Sequence, residues 1–110
     1  MDIEFLEKFC ENKGFEIARV LADEYDSADF HVNSLQIEQE IYEIATNYSK
    51  IFFFEAREFL QESVREEVRT RLAWRFDRKQ VQKMKDIDLA AHWIKLEVVR
   101  ALEDRDISLL

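Results

Sequence analysis

The chain has 110 residues, with 24 acidic and 16 basic side chains, a formal net charge of −8, one glycine, one cysteine and no proline. This length suits one domain, and the composition excludes both a disulfide-stapled secreted scaffold and the turn-rich sequence of a β-sandwich or β-barrel. We therefore predict an all-α protein, a single-domain bundle of four to five helices over residues 1–110.

The sequence also favours a location. No apolar run approaches the ~18 residues that a membrane-spanning helix needs. The first segment, MDIEFLEKFC, is acidic and amphipathic, whereas a signal peptide is basic and then continuously apolar. We expect a cytoplasmic protein with a reduced thiol and no membrane contact.

Charge is distributed unevenly along the chain. Residues 1–62 hold 15 acids and 5 bases, residues 63–85 hold 3 acids and 8 bases, and residues 86–110 hold 6 acids and 3 bases. The acidic majority favours a basic partner and repels nucleic acid, whereas the middle segment has the opposite preference.

The first 26 residues predict a helical hairpin. Asp2 suits the N-cap of a helix over residues 3–12, and Gly14 suits a C-terminal cap before a second short helix that ends near residue 25. The following segment SADFHVNS, residues 27–34, is rich in turn-forming residues and predicts an extended connector.

Residues 34–85 predict the central helices, including a long one over about residues 50–76. Apolar residues recur every four positions from Tyr48 to Phe76, and each such step rotates by about 40° on a helix. The run therefore either breaks, with capping-box patterns near residues 62 and 76, or stays continuous and is buried on several sides. A last helix over about residues 87–104 is apolar on two sides, which predicts cover on both.

An aromatic cluster is the strongest candidate for an interface. Phe52, Phe53 and Phe54 span about 200° of a helix, so they cannot all face one core. Together with Trp93 and Leu96 on the last helix, they predict a contact with a partner or a second subunit, for which aromatic residues are enriched. The alternative is burial between two layers of the same domain.

A basic stripe is the second candidate. Arg71, Arg75, Lys79 and Lys83 recur at four-residue spacing within residues 65–85, which on one helix would form a positive face able to follow phosphates. Interleaved acids favour the alternative, a face that is solvated or paired with the chain's own carboxylates.

Metal and catalytic chemistry find little support. The glutamates of residues 55–66 lack the Glu-x-x-His pattern of di-metal bundles, and no glycine-rich loop is present to hold a phosphate. Cys10, His31 and His92 are the only nucleophile or base candidates of their types, and Cys10 lies on an apolar stripe. We predict no enzyme activity, no metal site, no catalytic residue and no cofactor.

The leading functional hypothesis is a non-catalytic acidic protein-binding module, of the inhibitor or immunity type, that covers a basic partner surface and forms a homodimer. Two alternatives are a dimeric nucleic-acid accessory protein that uses residues 65–85 and a structural subunit of a larger assembly. The acidic residues predicted to meet the partner are Asp23, Glu24, Asp26, Asp29, Glu38, Glu40 and Glu43.

Overall fold

The structure, a computed structural model, describes residues 1–107, with only the backbone of Ser27 and Ala28. These residues form six α-helices: α1 Ile3–Glu24, α2 Ser27–Val32, α3 Ser34–Ala56, α4 Glu62–Leu72, α5 Arg78–Lys83 and α6 Asp86–Glu103. No strand occurs within the described part, so the predicted all-α bundle is confirmed, with six helices in place of four to five. None of the six is long and apolar enough to cross a membrane.

The core forms around α6, which packs against α1, α3 and α4. The predicted helix over residues 87–104 is therefore present with nearly the predicted bounds. Both of its apolar sides are buried, since Leu89 and Trp93 lie on one and Ile94, Val98 and Leu102 on the other. This two-sided cover confirms the expectation drawn from the sequence pattern.

The predicted hairpin over residues 1–26 is wrong, because α1 is one uninterrupted helix. Gly14 lies in its middle, on the side that meets α6. A Cβ atom at this position would lie 2.4 Å from the Cβ of Glu97 and 3.1 Å from the backbone nitrogen of Val98. The glycine therefore lets two helices approach backbone to backbone, and this packing offsets the roughly 1 kcal/mol that glycine costs inside a helix.

The predicted extended connector over residues 27–34 is also wrong, because most of it forms the short helix α2. The Asp26 carboxylate accepts the backbone N–H of Asp29 at 2.9 Å, and the Asp29 carboxylate accepts that of Asp26 at 3.2 Å. This reciprocal capping box starts the helix. Phe30, which is fully buried, then fixes it to the core.

The long central helix over about residues 50–76 is not continuous. α3 ends at Ala56, Arg57 adopts a left-handed conformation with φ 55°, and α4 begins at Glu62. Breaks near residues 62 and 76 were one of the two predicted outcomes, and both are present. The break between α3 and α4 has a physical reason in Leu60. Its side chain is buried, and its backbone N–H donates to the Oδ2 of Asp86 at 2.9 Å.

The side chain of Arg65 also stabilises the break between α3 and α4. Its Nε donates to the Oδ1 of Asp86 at 2.7 Å, and its Nη2 donates to the carbonyl oxygen of Leu60 at 2.9 Å. One guanidinium therefore ties the loop, α4 and the start of α6 together. A charged pair that is hydrogen-bonded in this way replaces the helical bonds that the chain loses between residues 57 and 61.

Candidate functional site

Phenylalanine side chains gather where α3 ends. The ring of Phe52 stacks on Phe9 with centroids 4.1 Å apart and lies 5.8 Å from Phe5. Phe52 also meets Phe53 edge to face at 5.3 Å, and Phe53 stacks on Phe59 at 5.5 Å. With Phe54 this phenylalanine surface holds six of the nine phenylalanines of the chain: Phe5, Phe9, Phe52, Phe53, Phe54 and Phe59.

The three consecutive phenylalanines have different environments, as the 200° argument requires. Phe53 is buried, Phe52 is half-buried against α1, and Phe54 is 83% exposed. Phe5 and Phe59 are also mostly exposed. The partner interface at this surface stays a prediction.

An open pocket of about 450 Å³ lies within this surface. Phe53, Phe54, Phe59 and Ile87 form its apolar lining, and Lys50 and Arg57 complete it. The volume lies in the range of small-molecule and side-chain pockets. Below we call it the aromatic pocket; its chemistry is apolar with two cations.

Trp93 and Leu96 belong to a different region. They line a groove of about 420 Å³ between α1, α4 and α6. Trp93 is only 5% exposed; its Nε1 donates to the Oε1 of Glu97 at 3.3 Å, and the guanidinium of Arg71 lies 5.2 Å from its ring centroid. The structure therefore does not bring these two residues into the phenylalanine surface.

The basic stretch does not form one helix. Residues 73–77 form a turn between α4 and α5, so Arg71, Arg75, Lys79 and Lys83 do not share one helical face. Arg71 pairs with Glu7 of α1 and with Glu67 at 3.2 Å, and these carboxylates raise its pKa. The predicted continuous basic helix over residues 65–85 is wrong, because α4 turns away after packing Leu72 into the core.

The other three basic residues of the predicted stripe are exposed, as is the neighbouring Trp74. Arg75 lies in the turn, and Lys79 and Lys83 lie on α5. Trp74 is 86% exposed and stands between two grooves, one of which Arg78 also lines. Sequence reasoning missed this exposed tryptophan, since it lies between two members of the four-residue pattern, Leu72 and Phe76, and the pattern gave no sign of a turn there.

We use the name acidic surface for the seven predicted acidic residues, which lie on or cap three successive helices. Asp23 and Glu24 end α1, Asp26 and Asp29 start α2, and Glu38, Glu40 and Glu43 follow on α3. Within residues 1–107, no ion pair involves any of these seven carboxylates. Their negative charge is therefore not neutralised by the chain's own cations, in contrast to that of Glu7 and Glu67.

An apolar groove of about 270 Å³ runs beside this acidic surface, between α1 and α3. Val20, Ile44 and Tyr48 are among its apolar lining residues. Three carboxylates and one cation complete the lining, from Glu16, Glu24, Glu40 and Arg19. The hydroxyl of Tyr25 donates to the Oε2 of Glu40 at 3.4 Å. The charge of Glu40, followed by burial, raises the pKa of Tyr25 above its ordinary value. We call this feature the acidic groove.

The candidates for nucleophile and base are dispersed. Cys10 is buried, and burial together with the charge of Glu97 raises its pKa well above the ordinary value, so the thiol stays protonated. His31 is exposed on α2. His92 lies between the rings of Tyr42 and Phe76, and its Nδ1–H donates to the carbonyl oxygen of Asp88 at 2.8 Å.

Across the described residues, no group of three or more His, Cys, Asp or Glu side chains has the arrangement of a metal site. Comparisons with protein-family models, with curated protein sequences and with solved structures gave no match.

Proposed function

We propose that the protein is a non-catalytic protein-binding module that takes a basic amphipathic segment of a partner protein in its acidic groove. The observation that carries this proposal is an apolar groove lined by Glu24 and Glu40, two of the seven carboxylates that form no ion pair in residues 1–107. Unpaired surface charge speeds the encounter with a partner of opposite sign, and apolar burial then supplies affinity.

The groove has the chemistry that such a segment needs. Val20 is more than half exposed and Ile44 is half-buried, so both have apolar area left to bury. Glu24 and Glu40 lie beside them on α1 and α3. A partner helix with aliphatic side chains on one face would bury Val20 and Ile44. Lysines or arginines at the margins of that face would pair with Glu24 and Glu40.

An inhibitor function follows directly from this mode of binding. A protein that acts on nucleic acid does so through a basic surface, and an acidic module that covers this surface blocks it. The predicted inhibitor or immunity role therefore stays part of the proposal, and the partner class is a cationic protein.

Affinity capture from the native host tests the proposal. Glu24→Lys with Glu40→Lys changes the net charge by four, and Glu103→Lys with Asp104→Lys, at the exposed end of α6, is the matched control. We expect the wild type and the control to retain a strongly basic protein that the groove variant loses, with retention that falls as salt rises. Equal retention by all three, or a captured partner without a basic surface, would refute the acidic groove as the binding site.

A second candidate, single-stranded nucleic-acid binding, rests on Trp74. Bases stack on exposed aromatic rings, and nearby arginines attract the phosphates; Arg75 follows Trp74 in the turn and Arg78 lines the adjacent groove. Titrating single-stranded RNA into a Trp93→Phe variant, in which Trp74 is the only tryptophan, should quench its fluorescence at low salt. Arg75→Glu with Lys79→Glu and Lys83→Glu should abolish that quenching; an unquenched parent would dismiss this candidate.

A further inference from the structure

The two ends of α3 carry opposite chemistry. At its C-terminal end lies the aromatic pocket with Lys50 and Arg57, and neither cation forms an ion pair within residues 1–107. These two are among only five basic residues in the first 62. The mainly acidic first part of the chain thus places two of its five basic residues beside exposed phenylalanines.

At the N-terminal end, α2 and α3 present an apolar knob with acidic margins. Val32 is 79% exposed and Leu35 is 82% exposed. Asp29 precedes Val32 by three residues on α2, and Glu38 follows Leu35 by three residues on α3, so each acid lies beside its apolar neighbour on the helix surface. Two large aliphatic side chains in water with carboxylates around them are the complement of the aromatic pocket.

The two ends cannot meet within one copy. α3 has 23 residues, and a rise of 1.5 Å per residue places its ends about 35 Å apart. The knob and the pocket lie on opposite ends of this rod. Only a second molecule can bring one against the other.

A contact between like patches is disfavoured by charge. A two-fold axis through either patch would bring that patch against its own copy. Pocket against pocket would bring together the Lys50 and Arg57 side chains of both copies, and knob against knob would bring together Asp29 and Glu38. Knob against pocket pairs each carboxylate with a cation and buries apolar area on both sides.

We propose that copies of this chain associate head to tail, with Val32 and Leu35 of one copy seated in the aromatic pocket of the next and with Lys50 and Arg57 facing Asp29 and Glu38. The contact builds rings or open chains where each copy meets two neighbours. It closes as a two-fold pair where the α3 helices of two copies lie antiparallel and both contacts form between the same two copies. It uses no residue that lines the acidic groove, so it goes beyond the proposed function, and it shares only Asp29 and Glu38 with the acidic surface.

Charge-swap complementation tests the contact by sedimentation over a protein concentration series. The pocket variant carries Lys50→Glu and Arg57→Asp, since aspartate tolerates the left-handed backbone at residue 57. The knob variant carries Gln36→Lys and Glu38→Lys, which leaves the Asp26 and Asp29 capping box intact. We expect the wild type to associate, each variant alone to stay monomeric, and an equimolar mixture of the two variants to associate again.

Two control variants and one further test variant separate this contact from other effects. Lys79→Glu with Lys83→Glu on α5 makes the same change in net charge as the pocket variant and should leave association intact. Glu24→Lys with Glu40→Lys in the acidic groove should also leave it intact, so failure of the proposed function and failure of this contact are distinguishable. Leu35→Ser, at an exposed position that the fold does not need, should weaken association without loss of helix content.

A wild type that stays monomeric at high micromolar concentration overturns the proposal. So does a closed dimer that neither charge variant disrupts, because it would lie elsewhere on the surface. Variants that lose association singly and do not recover it in the mixture also overturn the pairing of knob with pocket.

Discussion

α3 and α6 are helices of similar length that use their apolar residues differently. α6 is enclosed by α1, α3 and α4, and its apolar side chains from Leu89 to Leu102 are buried or half-buried. α3 buries one stripe, which includes Ile37, Ile41 and Phe53, and leaves Leu35 and Phe54 in water. The comparison teaches that α6 holds the fold together, whereas α3 carries the surfaces that are free for recognition.

The largest expected difference comes from the same substitution in both helices. Leu89 of α6 is fully buried and Leu35 of α3 is mostly exposed. Leu89→Ala should lower the free energy of unfolding by about 3 to 4 kcal/mol through lost burial and a cavity, whereas Leu35→Ala should change it by less than about 0.5 kcal/mol. Urea unfolding measures both; similar losses would mean that α3 is covered as α6 is.

The next prediction concerns the start of α6. Asp86→Ala removes the carboxylate that accepts from the buried N–H of Leu60 and from the guanidinium of Arg65. We therefore expect the free energy of unfolding to fall by about 3 kcal/mol. Glu62→Ala is the matched control, because Glu62 also pairs with Arg65 but is exposed. Glu62→Ala should lower the free energy of unfolding by less than about 1 kcal/mol. An equal loss in the two variants would contradict the role given to Asp86.

Gly14→Ala tests the close approach of α1 to α6. Alanine favours a helix by about 1 kcal/mol over glycine, but its Cβ would lie 2.4 Å from that of Glu97. The clash should prevail, with a net loss of about 2 kcal/mol in unfolding free energy. Asn12→Ala, on the exposed side of the same helix, should be neutral or slightly stabilising; a stabilised Gly14→Ala protein would show that the helices separate at little cost.

The smallest effect is a pH dependence from Cys10. Its pKa is raised above the ordinary value of 9.0 by burial and by Glu97, so the folded state holds the proton to higher pH than the unfolded state does. The contribution of the protonated thiol to the free energy of unfolding is therefore complete below pH 9. It falls as pH rises towards the folded pKa, by at most about 1.4 kcal/mol per pH unit.

Unfolding curves between pH 8 and pH 10.5 measure this slope. Tyr25 titrates in the same direction, since Glu40 raises its pKa, so the comparison requires Cys10→Ala and Tyr25→Phe separately. Cys10→Ala should flatten the part of the curve nearest pH 9. An unchanged slope in that variant would assign the dependence to other groups.

Part of the candidate site was predictable. Three consecutive phenylalanines cannot face one core, and this geometric fact predicted that one of them is either covered by a second layer or left for a partner. Which one depends on the rotation of α3 against α1 and α6, so Phe54 could be identified only in the folded chain. Periodicity placed Trp93 and Leu96 on an apolar side of α6, but it did not tell which helices that side meets, and both residues line the groove between α1, α4 and α6.

The acidic surface was predictable in composition but not in form. The sequence places the carboxylates in three short stretches, and only the packing of α1 against α3 brings Glu24 and Glu40 to one groove. The basic stretch shows the opposite case. The four-residue spacing of its basic side chains predicted one face of one helix. The turn at residues 73–77 divides these side chains between α4, the turn and α5.

The sequence by itself determined the helical class, the bounds of α6 and the excess of unpaired acid, because these follow from local periodicity and from counting charges. The tertiary structure decided that α1 runs through Gly14, that the central segment breaks at residues 57–61, and that Val32 and Leu35 are exposed. Each of these depends on contacts between residues far apart in sequence, such as Gly14 with Glu97 and Leu60 with Asp86. A helical period records which residues share a face, but only the neighbouring helices determine which face is buried.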